Sequence, residues 1–299
     1  MSLALMNLSL ARNHLDRASH LRTDQAALDS LFIKGKIFQV HQGKFIFDDG
    51  LHWIDPTQTP EGERYFLGLD NSGTGHFAIN APFADGTSGL STLREAGLVA
   101  NELDIGAAVH AIALANWHDT HSHCARCGAK TESVIGGSVR RCVSDGSEHY
   151  PRTDSAVIVL VRDRENRILL GRQKVWPAKR YSNFAGFLEP GESLEACVKR
   201  EVFEEAGVVV DDIEYMASQS WPFPASIMLA FTGVVTDPDE AKADGEEIED
   251  VRWYSKESFT QDVKSGELLI PPGISISRRM IEAWYGAPLD FPDAWSTSK

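Results

Sequence analysis

Residues Gly186–Val208, GFLEPGESLEACVKREVFEEAGV, constrain this chain more than any other stretch. Gly186 and the Pro190–Gly191 pair make a loop. Ser193 is placed to cap a helix that continues through Leu194, Ala196, Cys197 and Val198, and Gly207 stands where a left-handed residue ends one. The segment therefore reads as loop, short helix and stop. On such a helix Glu201, Glu204 and Glu205 fall at i, i+3 and i+4, sharing a face with Cβ atoms about 5–6 Å apart. Three glutamates by themselves describe a solvated acidic face, which tolerates the mild repulsion. Framed by the glycine and proline loop, they describe a site for a hard divalent cation. Mg²⁺ in particular is held by a few carboxylates together with substrate phosphates.

The same stretch resembles the Nudix box, G-x5-E-x7-R-E-U-x-E-E-x-G-U with U aliphatic. Gly186, Glu192, Arg200, Glu201, Val202, Glu204, Glu205, Gly207 and Val208 fill every specified position. The resemblance implies a Nudix hydrolase, with an α/β/α sandwich around a mixed sheet. It also implies that Glu201, Glu204 and Glu205 are ligands for Mg²⁺ or Mn²⁺. Arg200 is expected to pair with Glu192 and hold the loop against the helix, a structural role.

The length of 299 residues predicts about two domains, and 42% hydrophobic with 24% charged residues is the composition of an ordinary globular chain. The 43 acidic against 29 basic residues, a net charge of −14, exclude a broad electrostatic grip on nucleic acid, which relies on Lys and Arg. No apolar run approaches the length of a membrane span, and no secretory signal is visible. Three clustered cysteines out of four point to metal binding in a reducing cytoplasm rather than to disulfides.

Along the chain, residues 1–30 show no clear period. Short β-like runs follow at Ile37–Val40, Phe45–Phe47, Leu51–Ile54, Tyr65–Leu69 and His76–Ile79, separated by turn signals. Ile105, Ala108, Val109 and Ile112 then mark a helix ending near Trp117. Residues 1–120 are therefore expected to form a small N-terminal α+β domain, 121–152 a zinc-ribbon-like segment and 153–299 the catalytic domain. In that last part, Ser155–Val161, Ile168–Gly171, Glu214–Ala217, Ile227–Val235 and Val251–Tyr254 read as strands. Residues 237–250 read as an acidic loop, and a final helix carries Ile276, Met280, Ile281 and Trp284. Strands interleaved with helices indicate layers, an α+β chain overall.

In the ribbon, Cys124 and Cys127 form a C-x2-C knuckle, followed after fourteen residues by Cys142. Such an arrangement suits structural, tetrahedral zinc. The position that would complete a second C-x2-C holds Asp145, so the fourth ligand is open among Asp145, His149, His121 and His123. The competing reading is a ribbon that keeps its shape without metal.

Beyond the box, Ser218-Gln-Ser-Trp-Pro-Phe-Pro-Ala-Ser226 resembles the SQPWPFPxS signature of NADH pyrophosphatases, with Ser220 where that group has proline. The ribbon and the small N-terminal domain also resemble that group. The resemblance implies that Gln219, Ser220, Trp221, Pro222, Phe223, Pro224, Ala225 and Ser226 line the nucleotide site, together with Ala185. Phe187 and Tyr150 would stack adenine, the tyrosine coming from the second subunit of a homodimer. The residues agree: Trp221 and Phe223 offer flat faces, the prolines stiffen the backbone, and Gln219 and Ser226 offer polar groups. Matching from Trp253 puts a further metal ligand on Glu247, with Glu246, Glu249 and Asp250 as mostly solvated neighbours. Either Glu204 or Glu247 would activate the water.

The expected activity is hydrolysis of NAD(H) to AMP and nicotinamide mononucleotide, extending to the cap of NAD-capped RNA. The alternatives are a hydrolase preferring ADP-ribose or another nucleoside diphosphate derivative, and a nucleotide sensor that does not cleave.

Overall fold

A computed structural model of the chain describes residues 8–12 and 14–289. These fall into two compact units. One is Ser9–Thr153 with Ser220–Ala225; the other is Asp154–Gln219 with Leu8 and 226–289. The ribbon is part of the first unit and not a body of its own. No helix among the described residues is long and apolar enough to cross a membrane.

The first unit opens with α1 (Gln25–Phe32), which the aperiodic first thirty residues did not announce; Asp24 caps it by accepting from the Ala27 N–H. Strands β1 (Lys36–His41), β2 (Lys44–Ile46), β3 (Glu63–Leu69), β4 (Gly75–Asn80) and β5 (Leu90–Thr92) form a sheet in the order β3-β4-β1-β2-β5. β1 runs parallel to β4, and the other pairs are antiparallel. Gln42 and Gly43 both have positive φ, as a two-residue hairpin between β1 and β2 demands. The expected strand at Leu51–Ile54 does not form. The run makes single bridges at its ends, and Pro56 starts a short 3-10 turn directly after it.

Helix α2 (Leu93–Ala96) is fixed by a Thr92–Glu95 capping box, and α3 (Glu102–Thr120) by Asn101 at its N-cap. α3 is buried almost all round, because alanines at 107, 108, 111 and 115 let neighbours close on it. The ribbon strands β6 (Thr131–Val134), β7 (Val139–Cys142) and β8 (Glu148–His149) pair in that order. Buried Arg140 ties them to the sheet, donating to Thr131 Oγ1 at 2.7 Å, the Thr131 carbonyl at 2.8 Å and Glu63 at 3.1 Å. An arginine this buried persists because its donors are met.

The second unit contains β9 (Asp154–Arg162), β10 (Ile168–Gln173), β11 (Phe184–Phe187), α4 (Leu194–Ala206), β12 (Val210–Trp221), β13 (Ser226–Val235), β14 (Ile248–Tyr254), α5 (Lys256–Ser265) and α6 (Ile276–Tyr285). The sheet order is β12-β13-β9-β10-β14, with β11 also pairing to β9. β9 is parallel to β13 and antiparallel to β10 and β11, so the sheet is mixed. Alternate residues of β9 enter different cores. Val157, Val159 and Val161 pack with Val198 and Val202 of α4, whereas Ile158 and Leu160 pack with Phe259 of α5 and Met280 of α6. That is why Ser155–Val161 reads as continuously apolar: the strand is covered on both faces. The layers are therefore α/β/α.

Two strands extend beyond the bounds their sequence suggests. β12 is one long strand instead of a short one around Glu214–Ala217. β14 begins at Ile248, so Glu249 and Asp250 lie in the sheet. Glu249 pairs with Arg172 and Asp250 with Tyr181 and Arg252, so both are engaged on the strand, although Glu249 stays exposed. Helix α5 lies in a stretch the periodicity left unassigned, although Ser255 caps its start and Gly266 its end.

Candidate active site

The glutamate helix α4 begins with Ser193 accepting from the Ala196 N–H at 3.1 Å and ends at Gly207, whose φ is 68°. Its angular layout explains the burial of each acid. With about 100° per residue, Glu205 lies roughly 20° from Val198, inside the apolar stripe, whereas Glu201 lies towards its edge and Glu204 beyond it. Exposure follows that order: Glu205 is 4% exposed, the Glu201 side chain 14% and the Glu204 side chain 58%.

Glu205 is the most perturbed of the three. Burial pushes its carboxyl up to about 8, with the charges of Glu247 and Glu201 adding to the effect. The Ala185 backbone N–H bonds the carboxylate, but Oε2 is buried without a hydrogen-bond partner. Glu201 is also raised, by burial first, against the pull of Arg200 and with the push of Glu204 and Glu247. The structure thus brings Glu201, Glu205 and Glu247 into one field. A buried, unpartnered carboxylate oxygen among other carboxylates is the donor chemistry a hard divalent cation satisfies.

Gly186 has a specific reason to lack a side chain. A Cβ there would stand 1.9 Å from the Glu201 carboxyl carbon and 2.0 Å from Oε1. The carboxylate of Glu201 therefore lies directly against β11.

Arg200 is the hub of the loop. It donates from Nε to Glu192 Oε1 and from Nη2 to Oε2, both at 2.9 Å, and Nη2 also reaches the Phe187 carbonyl at 3.0 Å. Its Nη1 meets Glu201 Oε1 at 2.8 Å and Glu204 Oε2 at 3.0 Å. The guanidinium holds the Glu192 carboxyl down at about 2. Arg200 therefore does more than clamp the loop, since it also orients two of the acidic side chains. Glu247 is exposed and accepts from Gln173 Nε2 at 2.8 Å, while its carbonyl accepts from the Lys174 N–H at 3.1 Å. Nothing local in the sequence marks Gln173, at the end of β10, as adjoining a loop more than seventy residues later.

The remaining expected substrate residues are spread over both units. Phe187 is 60% exposed on β11 beside half-buried Ala185. Tyr150 is 65% exposed, and its hydroxyl donates to Glu148 at 3.0 Å. Gln219 is buried, with Nε2 donating to the Ile274 carbonyl at 3.1 Å, and Ser226 is buried at the start of β13. The amide of Gln219 thus anchors backbone and is not displayed to solvent. Ser220, Trp221, Pro222, Phe223, Pro224 and Ala225 belong to the first unit. Trp221 and Phe223 meet edge-on, and Arg94 lies over both rings.

In the ribbon, donor atoms of Cys124, Cys127, Cys142 and Asp145 all lie within 4.8 Å of one another. The two knuckles are built alike. Gly128 donates to the Cys124 carbonyl at 2.9 Å and Gly146 to the Cys142 carbonyl at 3.1 Å, each glycine with positive φ. Backbone N–H groups of Arg126 and Ser144 point at the Cys124 and Cys142 sulfurs, at 3.3 and 3.4 Å. Asp145 therefore occupies the place that Cys127 holds in the first knuckle. Of the alternatives, His149 touches Cys124 Sγ at 3.2 Å, His121 faces the Trp117 carbonyl and His123 faces Ser122. Three sulfurs and one carboxylate oxygen fit zinc.

The sequence matches the family model described as NUDIX domain over residues 152–271 and the one described as NADH pyrophosphatase zinc ribbon domain over 119–150. It is 36% identical over 299 positions to the NAD-capped RNA hydrolase NudC of Mycobacterium tuberculosis, covering 92% of this chain and 94% of that protein. The NAD-capped RNA hydrolase of Schizosaccharomyces pombe is 39% identical over 203 positions, 60% of this chain and 54% of that one. The NAD-capped RNA hydrolase NUDT12 of Macaca fascicularis is 35% identical over 195 positions, 61% of this chain and 42% of its own. This chain belongs to the Nudix hydrolases, within the family of the NAD-capped RNA hydrolases NudC.

Proposed function

We propose that this protein hydrolyses the pyrophosphate bond of NAD(H) to AMP and nicotinamide mononucleotide, and that the same reaction removes the NAD cap from RNA. The observation that carries the reading is Glu205: a buried carboxylate with an unpartnered oxygen, raised by its burial and further by Glu247 and Glu201. A sensor that only binds nucleotides has no use for that arrangement.

Glu201, Glu204, Glu205 and Glu247 would hold Mg²⁺ or Mn²⁺. When bound, such an ion neutralises pyrophosphate oxygens and lowers the pKa of a coordinated water. The carboxylates supply the rest. Glu205, pushed up to about 8 chiefly by burial, would release its proton to take part in holding the ion. Arg200 holds Glu201 and Glu204 at fixed angles. Water adds its oxygen to one phosphorus, the P–O–P bond breaks on the far side, and a carboxylate takes the water's proton. Glu247 is the freer base, because its bond comes from a neutral amide whereas Glu204 is engaged by a guanidinium. By the family resemblance, Gln219–Ser226, Ala185 and Phe187 would contact the dinucleotide. Tyr150 of a second copy would complete the site in a homodimer, which light scattering on the purified chain tests. Zinc on Cys124, Cys127, Cys142 and Asp145 would be structural, since four protein ligands leave no place for water. Thiolate ligands fit a reducing cytoplasm, and cell fractionation tests that placement.

The deciding assay incubates the protein with NADH, NAD⁺, ADP-ribose and NAD-capped RNA under Mg²⁺ or Mn²⁺. AMP from NADH is expected. Rapid turnover of ADP-ribose with no AMP from NADH overturns the reading.

A further inference from the structure

The turn between β12 and β13 belongs to the first unit. Ser220–Ala225 clusters with residues 9–153, and two side chains of that unit hold it. Asn116 on α3 donates from Nδ2 to the carbonyls of Pro222 at 3.1 Å and Pro224 at 3.0 Å. Proline offers no N–H, so carbonyls are what a W-P-F-P segment presents for tethering. One amide bridging two carbonyls fixes the curvature between them.

Arg94 holds the rings. Its guanidinium carbon lies 4.2 Å from the Phe223 centroid and 5.0 Å from that of Trp221. The rings themselves meet edge-on at 4.8 Å and 67°. Arg94 pairs with no carboxylate among the described residues, so the aromatic faces are its partners. Its base is rigid: Leu93 and Ala96 of the same short helix are buried, and the Thr92 N–H donates to Glu95 Oε2 at 2.8 Å. A cation on a fixed base, lying over both rings, restricts their freedom to tilt.

We propose that Arg94 and Asn116 are positioning residues for the dinucleotide: they set the attitude of Trp221 and Phe223, the surface on which one ring of the substrate stacks. The inference rests on reading the W-P-F-P segment as part of the dinucleotide site. Arg94 takes one side of the ring pair, so an incoming ring is confined to the faces left half-exposed. Losing either residue frees the platform without touching the carboxylates of α4, so substrate capture suffers and chemistry at saturation does not.

The test measures KM and kcat for NADH with the full chain and five variants: Arg94→Ala, Arg94→Lys, Asn116→Ala, Trp221→Ala and the Arg94→Ala/Trp221→Ala double. Arg94→Ala and Asn116→Ala are expected to raise KM about five- to tenfold, the scale of one lost cation–π or polar contact, with kcat within about twofold. Arg94→Lys, which keeps the charge, should recover part of that loss. The double variant should lose less than the product of the two single losses, because part of the arginine's effect passes through Trp221 and the rest through Phe223. Should an alanine variant fail to fold, Arg94→Lys and Asn116→Ser carry the same comparison. A raised KM in Trp221→Ala beside an unchanged KM in Arg94→Ala and Asn116→Ala overturns the proposal, as does full additivity in the double. An unchanged KM in Trp221→Ala overturns the reading of the segment, and the proposal with it.

Discussion

The ribbon cluster and the glutamate cluster are both made of metal-type ligands, and they treat their donors in opposite ways. In the ribbon, Cys124, Cys127, Cys142 and Asp145 close to within 4.8 Å, with backbone N–H groups aimed at the sulfurs and Ser147 donating to Asp145 from Oγ at 2.6 Å. Its parts are local, two similar knuckles on neighbouring turns. On α4, by contrast, Glu205 is buried with a free oxygen, and Glu201 and Glu247 repel it. One cluster has its donors already engaged by backbone and side-chain groups. The other leaves an unmet demand for positive charge, which a divalent cation would relieve. A satisfied cluster serves architecture and an unsatisfied one serves chemistry.

That contrast breaks most sharply at Glu205. Glu205→Gln removes the charge but keeps the shape, and kcat for NADH is expected to fall by roughly 10²–10³, the scale of a lost charged group that stabilises a transition state. An AMP release rate within a few-fold of the parent would place the cation elsewhere. The pH dependence comes next. Cation binding below about pH 8 must displace the Glu205 proton, so Mg²⁺ affinity should rise up to about tenfold per pH unit until about pH 8 and then level off. Calorimetric titrations at several pH values check this, and a flat profile contradicts it.

The same shift has a sign in stability. An unfolded glutamate releases its proton near its ordinary value of about 4.3, whereas folded Glu205 keeps it to about 8. The folded state binds the extra proton between those values, so the metal-free protein should lose stability as pH rises through that window and no further above it. Glu205→Gln should flatten the loss in thermal melts with chelator. Glu192 works in the opposite direction: held down at about 2 by Arg200, it contributes above its ordinary value and loses that contribution as pH falls towards 2.

A smaller effect is expected at Gly186. Gly186→Ala places a methyl about where the Glu201 carboxylate sits, and a flexible side chain can yield. The melting temperature should therefore shift by only a few degrees while kcat falls roughly tenfold, the loss expected for a misplaced catalytic group. A large melting shift with normal activity would mean that the strand, not Glu201, needs the glycine. The ribbon should give the smallest change in turnover. Asp145→Ala is expected to cut bound zinc, read by elemental analysis, and lower the melting temperature by several degrees, while kcat stays within about twofold. Equal loss of kcat in Asp145→Ala and Glu205→Gln would erase the contrast between the two clusters.

Local signals account for what was legible beforehand. Ser193 and Gly207 bound α4 where their chemistry placed them, because caps act over one turn. The Gly128 and Gly146 turns are local in the same way. Helices α1 and α5 escaped notice although Asp24, Ser255 and Gly266 cap them, since short amphipathic stretches carry little periodicity. Leu51–Ile54 misled because β propensity does not supply a partner edge.

By itself the sequence determined the helix with its glutamate face, the paired knuckles and the two-sided strand at Ser155–Val161. Each depends on residue type at short spacing, which backbone geometry converts directly into structure. Tertiary structure alone decided that Glu205 is the buried acid, that the charge of Glu247, itself held by Gln173, acts on it, and that Arg94 and Asn116 hold the W-P-F-P turn. Those relations join residues far apart in the chain, Asn116 and Pro222 by 106 positions. Burial, on which the shifted acid depends, is set by what packs against a side chain and not by its neighbours in sequence.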